Sequence, residues 1–451
     1  MRQNLNRGQS FSISSLGSLS MIKTYNEVIE YLFARLPMFT RDGASAIKKD
    51  TDNTVRLCQA LGNPHTKFKS IHVAGTNGKG STSHLLASIL ASAGYKTGLY
   101  TSPHLVDFRE RIRINGAMIP KENVIDFVNQ HRSLIEDIQP SFFEVTVAMA
   151  FDYFAAEQVD VAVIEVGLGG RLDSTNILRP ELCIITNIGM DHTDLLGNTL
   201  AEIASEKAGI IKPQIPVVLS ERDETVAYVF EQKAHEMNAP LRFASTEFAV
   251  QTYERKEEGL ALRILDYVNQ QRTEIYVGLA GHYQQKNVLG VLTAVDELKK
   301  RGWEIGEEQL REGLADVVRN TGLQGRWQTL SANPLIICDT GHNEDGIREV
   351  MVNIQSTPHT VLHVIIGAMR DKDISHMLPQ LPKKAVYYFC NPAMPRAMPA
   401  VELKDKAASY GLKGEAYPSV GNALTSARDA YQEGDLIFVG GSNFVVAEVL
   451  S

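Results

Sequence analysis

Val73-Ala-Gly-Thr-Asn-Gly-Lys-Gly-Ser-Thr82 follows a short β-rich run, Ile71-His-Val-Ala74. After it, Leu85, Leu86, Ile89 and Leu90 recur at helical spacing. Glycines between a strand and a helix let successive backbone N–H groups converge on phosphate oxygens. The helix N-terminus adds positive potential, and Lys79 adds a point charge for the terminal phosphates. Ser81 supplies a hydroxyl for a magnesium ion or a phosphate. The common phosphate-loop pattern ends Gly-Lys-[Ser/Thr]; here Gly80 intervenes, so that general pattern is not met. Strand, loop, lysine and helix together still predict nucleotide phosphate binding rather than an ordinary turn. Gly94 is the expected stop of a helix running from Ser81 to about Ser92, and Thr97–Tyr100 the next strand, which completes a βαβ unit.

Working outward, Val161–Ile164, Leu182–Ile185 and Pro216–Leu219 read as buried parallel strands. Polar residues fall just beyond several of these runs: Thr101-Ser102, Glu165 and, a little later, His192. Ligands of doubly wound sheets bind outside the carboxyl ends of strands, so a hydroxyl, a carboxylate and an imidazole there could complete a magnesium site. An imidazole is an unusual magnesium ligand. Spacing alone leaves this cluster and three unrelated loop residues equally open. Gly167-Leu-Gly-Gly170 does not fit the dinucleotide fingerprint, which argues against a nicotinamide enzyme.

Beyond Arg326 the rhythm restarts with Leu335–Cys338, Val361–Ile366, Ala385–Cys390 and Leu436–Val439, separated by helix-length segments. The reading is α/β throughout: a phosphate-loop, ATPase-type parallel-sheet domain at 21–325 and a smaller Rossmann-like α/β domain at 326–451, joined near Asn320–Gly325. At the other end, Thr24-Tyr-Asn-Glu27 reads as a capping box that opens a helix with Tyr25, Val28, Leu32 and Leu36 on its apolar face. Residues 1–20 carry six serines and two arginines, no acid and no secretory h-region, and read as a disordered extension.

Composition narrows the function classes. At 451 residues, 44% hydrophobic and 22% charged, the chain is a globular protein of two or three domains. Lys+Arg 45 against Asp+Glu 53 gives a net charge of −8, which argues against general binding to nucleic acid or an anionic membrane. No apolar run reaches the roughly 18 residues of a membrane span. Cys58, Cys183, Cys338 and Cys390 are far apart and read as buried thiols in a reducing, cytoplasmic setting.

Five stretches carry a closer likeness: GTNGKGST (75–82), TSPHLVDFRERIRING (101–116), EVGLGGRLDSTN (165–176), TNIGMDHTDLLG (186–197) and EKAGIIK (206–212). They closely resemble the folylpolyglutamate synthase/dihydrofolate synthase family of the Mur ligase superfamily. YQQKN (283–287), GRWQ (325–328), DTGHN (339–343), GAMRDKD (367–373) and GGSNF (440–444) extend the resemblance through the second domain.

The resemblance implies an ATP-dependent ligase that adds L-glutamate to folate, and to dihydropteroate, through an acyl phosphate. It implies that Thr76, Asn77, Gly78, Lys79, Gly80 and Ser81 hold the ATP phosphates, with Asn287, Arg326 and Asp339 contacting the nucleotide. Ser102, Glu165 and His192 match the family's ligands for a pair of magnesium ions. Lys207 matches a lysine carboxylated to a carbamate, although its own sequence surroundings describe a solvated helix lysine. Lys79, Lys207 and His342 are the implied catalytic residues. Phe142, Phe143 and Glu144, with Leu172, Asp173 and Ser174, match segments lining a pterin pocket, and an aromatic pair with a carboxylate suits a flat, hydrogen-bonding heterocycle. A monomer with small-molecule substrates is expected.

The chain also departs from the family pattern. Tyr283 stands where His is common before Gln284, Thr340 follows Asp339, and Asn443-Phe444 replace a bulkier pair. The segment 41–49 differs most, so the resemblance does not define the pterin entrance. Two other readings are a UDP-muramyl peptide ligase and a phosphate-loop GTPase switch. TSPHL and LGGRLDSTN favour folate over the first, and the missing Asn-Lys-x-Asp segment speaks against the second.

Overall fold

The computed structural model describes residues 21–46, 48, 50–370 and 374–451. The extension at 1–20 and the end of GAMRDKD lie outside the described residues.

Apolar runs flanked by glycine loops form the first sheet. Its strands are β1 (Lys69–Ala74), β2 (Thr97–Tyr100), β3 (Ile112–Ile114), β4 (Ala117–Met118), β5 (Val161–Glu165), β6 (Leu182–Ile185), β7 (Val217–Leu219) and β8 (Leu241–Phe243). They lie in the order β4-β3-β2-β5-β1-β6-β7-β8, all parallel except the β3–β4 hairpin at one edge. The chain leaves β1 toward β2 on one side and β6 toward β7 on the other. A crevice therefore opens between β1 and β6 at their carboxyl ends, where such sheets bind ligands.

The helix Lys79–Ser92, entered through that crevice, is buried from Gly80 through Leu90. Buried on almost every side, it needs no amphipathic stripe, which is why its leucines and isoleucine stand among serines and glycine. Gly94 stops it at φ 89°, as the sequence predicts. Three antiparallel strands, β9 (Phe248–Arg255), β10 (Leu260–Asp266) and β11 (Gln271–Val277), pack their inner face on the same core. On the opposite face of the first sheet lie the helices Lys121–Ile138 and Phe142–Ala156. The capping box at Thr24 and Glu27 forms, and Val28, Leu32 and Leu36 of the helix it opens are buried in that second core.

The helix Val317–Thr321 carries Asn320 and Thr321, so the expected linker begins later, where Gly322 ends the helix at φ 67°. The second sheet contains β12 (Gln328–Ala332), β13 (Leu335–Cys338), β14 (Leu362–Ile366), β15 (Val386–Cys390), β16 (Lys413–Tyr417) and β17 (Leu436–Gly440). Its order is β12-β13-β17-β14-β15-β16, with β12 antiparallel and the rest parallel, and apolar cores on both faces. All four cysteines are buried and unbridged. Among the described residues no helix is long and apolar enough to cross a membrane.

Candidate active site

The loop after β1 is shaped by its ties to the loop after β6. Thr76 N donates to Asn187 O at 2.9 Å, Asn77 N to Asn187 Oδ1 at 2.8 Å, and Gly189 N to Thr76 Oγ1 at 3.0 Å. Gly78 enters the helix at φ 84°, and a Cβ there would stand 2.3 Å from Asn287 Oδ1. The position thus tolerates only glycine, both for its backbone and for the approach of Asn287. Gln284 holds the neighbouring groups together, donating to Ser81 Oγ at 3.1 Å and accepting from Asn287 Nδ2 at 2.8 Å.

Two cavities meet at this loop. The smaller, of about 400 Å³, is lined by Thr76 through Ser81 and by Asn287, Arg326 and Asp339, so it gathers every residue expected at the nucleotide. Ser102, Glu165 and His342 line it too. The larger, of about 600 Å³, is lined by Phe142, Phe143, Glu144, Leu172, Asp173 and Ser174 on the first domain, and by Met369, Ile374, Met377 and Phe444 on the second. His192 and Lys207 face it as well. Thr76, Lys79, Ser102 and His342 line both cavities and mark where they join.

Charge at the junction is concentrated. Lys79 Nζ donates to the carbonyls of Gly75 and Thr76 at 3.1 and 3.0 Å. Lys207 Nζ donates to the same Gly75 carbonyl at 2.9 Å. Lys207 is only 3% exposed, so the solvated helix lysine of the residue-level reading is corrected: the Leu200–Ala208 helix turns it inward. Burial, with Lys79 adding repulsion, brings its ammonium down to about 7. Glu165 is buried, and desolvation holds its carboxyl above the usual range against the pull of Lys79. Ser102 N donates to Glu165 Oε2 at 2.9 Å, which joins two members of the expected metal set. His192, the third, sits in the left-handed region at φ 50° and faces the larger cavity. Among the described residues no three His, Cys, Asp or Glu side chains cluster as a metal site by themselves.

The second domain reaches in through Arg326 and Asp339. Asp339 Oδ2 accepts from Tyr283 Oη at 2.6 Å and from Trp327 N at 2.8 Å, while Oδ1 accepts from Gly341 N at 2.8 Å. Trp327, whose N–H is one of those donors, sits at φ 48°, a strained value for a bulky residue. Arg326, one residue earlier, is thereby aimed at the phosphate loop, its Nη2 lying 3.3 Å from where a Gly80 Cβ would be. Tyr283 thus takes a definite place where the family pattern has histidine. His342 Nδ1 faces the Thr340 carbonyl at 3.0 Å, which makes Nδ1 the protonated nitrogen, and Nε2 lies 4.0 Å from Asp191.

The larger cavity is built differently. Ser141 caps the helix Phe142–Ala156, and Glu144 Oε2 returns the bond by accepting from Ser141 N at 2.6 Å. Glu144 Oε1 is buried with no hydrogen-bond partner among the described residues. Both carboxylate oxygens of Asp173 are engaged by its own loop, at Gly167 N, Leu168 N and Thr175 N. Asp173 therefore shapes the cavity wall. Residue-by-residue reading missed Asp191, Asn187 and Asn343, although an Asn just ahead of Glu344-Asp345 is a legible helix cap.

Residues 73–295 match the Mur ligase middle domain, and residues 325–443 the Mur ligase glutamate ligase domain. A dihydrofolate synthase/folylpolyglutamate synthase of Bacillus subtilis is 35% identical over 398 residues, covering 85% of this chain and 89% of the relative. The structure of Escherichia coli FolC in complex with DHPP and ADP superposes with a TM-score of 0.82 at 29% identity, over 96% of this chain and 98% of that one. Mycobacterium tuberculosis folylpolyglutamate synthase complexed with ADP gives a TM-score of 0.84 at 27% identity, over 94% and 97%.

Proposed function

The chain belongs to the Mur ligase family, in its folylpolyglutamate synthase/dihydrofolate synthase branch, and from that premise we propose how its cleft joins L-glutamate to a folate carboxylate using ATP. The observation that carries the reading is the junction: a phosphate-binding cavity and a larger aromatic-walled cavity share Lys79, Ser102 and His342. Such an arrangement puts a terminal phosphate and a substrate carboxylate at one place.

ATP lies along the phosphate loop, with Asn287, Arg326 and Asp339 around it. The folate or dihydropteroate ring lies in the larger cavity against Phe142 and Phe143, where the buried Glu144 Oε1 is an acceptor for a ring N–H donor. A carboxylate is a poor electrophile at neutral pH, so it attacks the γ-phosphorus first, forming an acyl phosphate and releasing ADP. Lys79 and Arg326 neutralise the charge that develops there. The glutamate amine then attacks the carbonyl carbon, loses its proton, and phosphate leaves. His342 stands beside this second step. Arg326 arriving from the second domain means that domain closure completes the site and keeps water from the acyl phosphate.

The hydroxyl of Ser102 and the carboxylate of Glu165 are hard oxygen donors of the kind magnesium takes, with His192 as the third residue of the set. Magnesium held there would neutralise phosphate charge. Lys207, held near neutrality by burial, fits conversion to a carbamate: a neutral amine adds to carbon dioxide and releases a proton, leaving an anion where a cation stood. The domain limits 21–325 and 326–451, a monomeric state and a cytoplasmic location complete the reading. Mass spectrometry of the product tests it. Dihydropteroate or tetrahydrofolate, incubated with ATP and glutamate, should gain glutamyl residues one at a time; no mass gain on either substrate would refute it.

A further inference from the structure

Asn77 of the phosphate loop and Asn343 of the second domain form a reciprocal amide pair. Asn77 Nδ2 donates to Asn343 Oδ1 at 3.2 Å, and Asn343 Nδ2 donates back to Asn77 Oδ1 at 3.0 Å. Asn343 Nδ2 also donates to Asp191 Oδ2 at 3.0 Å, one residue before His192. Its Oδ1 accepts from Gly346 N at 2.8 Å and so caps the helix Glu344–Gln355. That backbone donor fixes which end of the amide is oxygen.

A side-chain amide offers two donors and two acceptor positions. Asn343 uses all of them, and it is 8% exposed. The surrounding segments are pressed together as well: a Cβ on Gly189 would lie 2.2 Å from Asp345 Oδ2. The phosphate loop, the loop after β6 and the first turn of a second-domain helix are thus tied through one saturated side chain. His342 is its immediate neighbour in the chain.

We propose that Asn343 is a positioning residue of the ligation reaction, holding the His342 side of the cleft in register with the phosphate loop through Asn77. Because its amide has no unused hydrogen-bonding capacity, a shift of the loop either carries the second domain with it or leaves a buried amide unsatisfied. The step that depends on this register is capture of the activated carboxylate by glutamate. The inference rests on the ligase reading above.

Asn343→Ser separates capping from coupling. Serine keeps a good N-cap acceptor and loses both amide donors. Its Tm should fall only slightly, since the cap survives while Asn77 and Asp191 each lose a partner, and its KM for ATP should match wild type. The KM for glutamate should rise about tenfold, and glutamylated product per ADP released should fall well below the wild-type ratio. Adding Asn77→Ser to that variant should weaken ATP binding through the phosphate loop, but, measured at saturating ATP, should raise the glutamate KM no further, since one pair is lost once. A wild-type glutamate KM and product ratio in Asn343→Ser, or a multiplicative effect of the second substitution, would overturn the proposal. If the serine variant melts early, Asn343→Thr, which also keeps a cap acceptor and adds no charge beside Asp191, takes its place: a raised glutamate KM supports the proposal and a wild-type one overturns it. Wild-type protein that releases no folate-dependent ADP would instead sink the ligase reading itself, so the two failures are distinguishable.

Discussion

The two cavities that meet at Lys79 are made from different materials. The smaller is walled by a contiguous loop, Thr76 through Ser81, and by side chains whose positions are fixed by named hydrogen bonds, such as those on Asp339 and Asn287. The larger is walled by side chains that fill space: Phe142 and Phe143 on one domain, Met369, Met377 and Phe444 on the other. Phosphates need fixed charge and donors at set points, whereas a flat heterocycle needs shape and a few polar anchors. Losses on the first wall should therefore fall on turnover, and losses on the second on substrate affinity.

The sharpest way to break that contrast is Lys79→Ala. Removing a charge aimed at the transferring phosphoryl group should lower kcat about 10²–10³-fold. Lys79 is the first residue of its helix and only partly buried, so Tm should hold; near-normal turnover at saturating ATP would refute its assignment.

Lys207 comes next. Lys207→Ala should lose about 10²-fold in kcat, and Lys207→Arg should not recover it, because guanidinium keeps the positive charge and cannot form a carbamate. An active arginine variant would return Lys207 to a purely structural role. The pH dependence follows from its lowered ionisation. With the ammonium titrating at about 7, the neutral amine that reacts with carbon dioxide dominates above that pH and is lost as pH falls through it. Below 7 each carbamate formed releases two protons, so turnover at a fixed, limiting carbon dioxide concentration should drop by about a hundredfold per pH unit, and saturating bicarbonate should soften the drop. A profile flat from pH 8 to pH 6 would contradict it.

The smallest effect belongs to the larger cavity. A Cβ on Gly167 would stand 2.4 Å from Phe143 Cζ, so Gly167→Ala should push that ring into the cavity. The KM for the folate should rise several-fold to about tenfold, with the KM for ATP unchanged. A variant that raised the ATP KM instead would show the two walls are not separable.

What the sequence made legible follows the same division. β6 and β13 sit on the expected residues because buried parallel strands are continuous apolar runs bounded by loops. The sheet of β9, β10 and β11 passed unread: one face is solvated, and Arg255, Arg263 and Glu274 interrupt its apolar pattern. Within the site, the phosphate loop was plain because its chemistry is contiguous. The Asn77–Asn343 pair was not, since its partners stand 266 residues apart and only the packing of two domains brings them together. Lys207 shows the limit of local reading. Its helix neighbours look solvated, yet the fold buries it beside Gly75.

If the two cavities act as one site, ATP is consumed only when both are filled productively. The direct experiment follows ADP release with no folate substrate, with dihydropteroate and with tetrahydrofolate, each with and without L-glutamate. Little ADP is expected without a folate substrate, and sustained turnover only when folate and glutamate are both present. ADP released at one rate in all of those mixtures would contradict it.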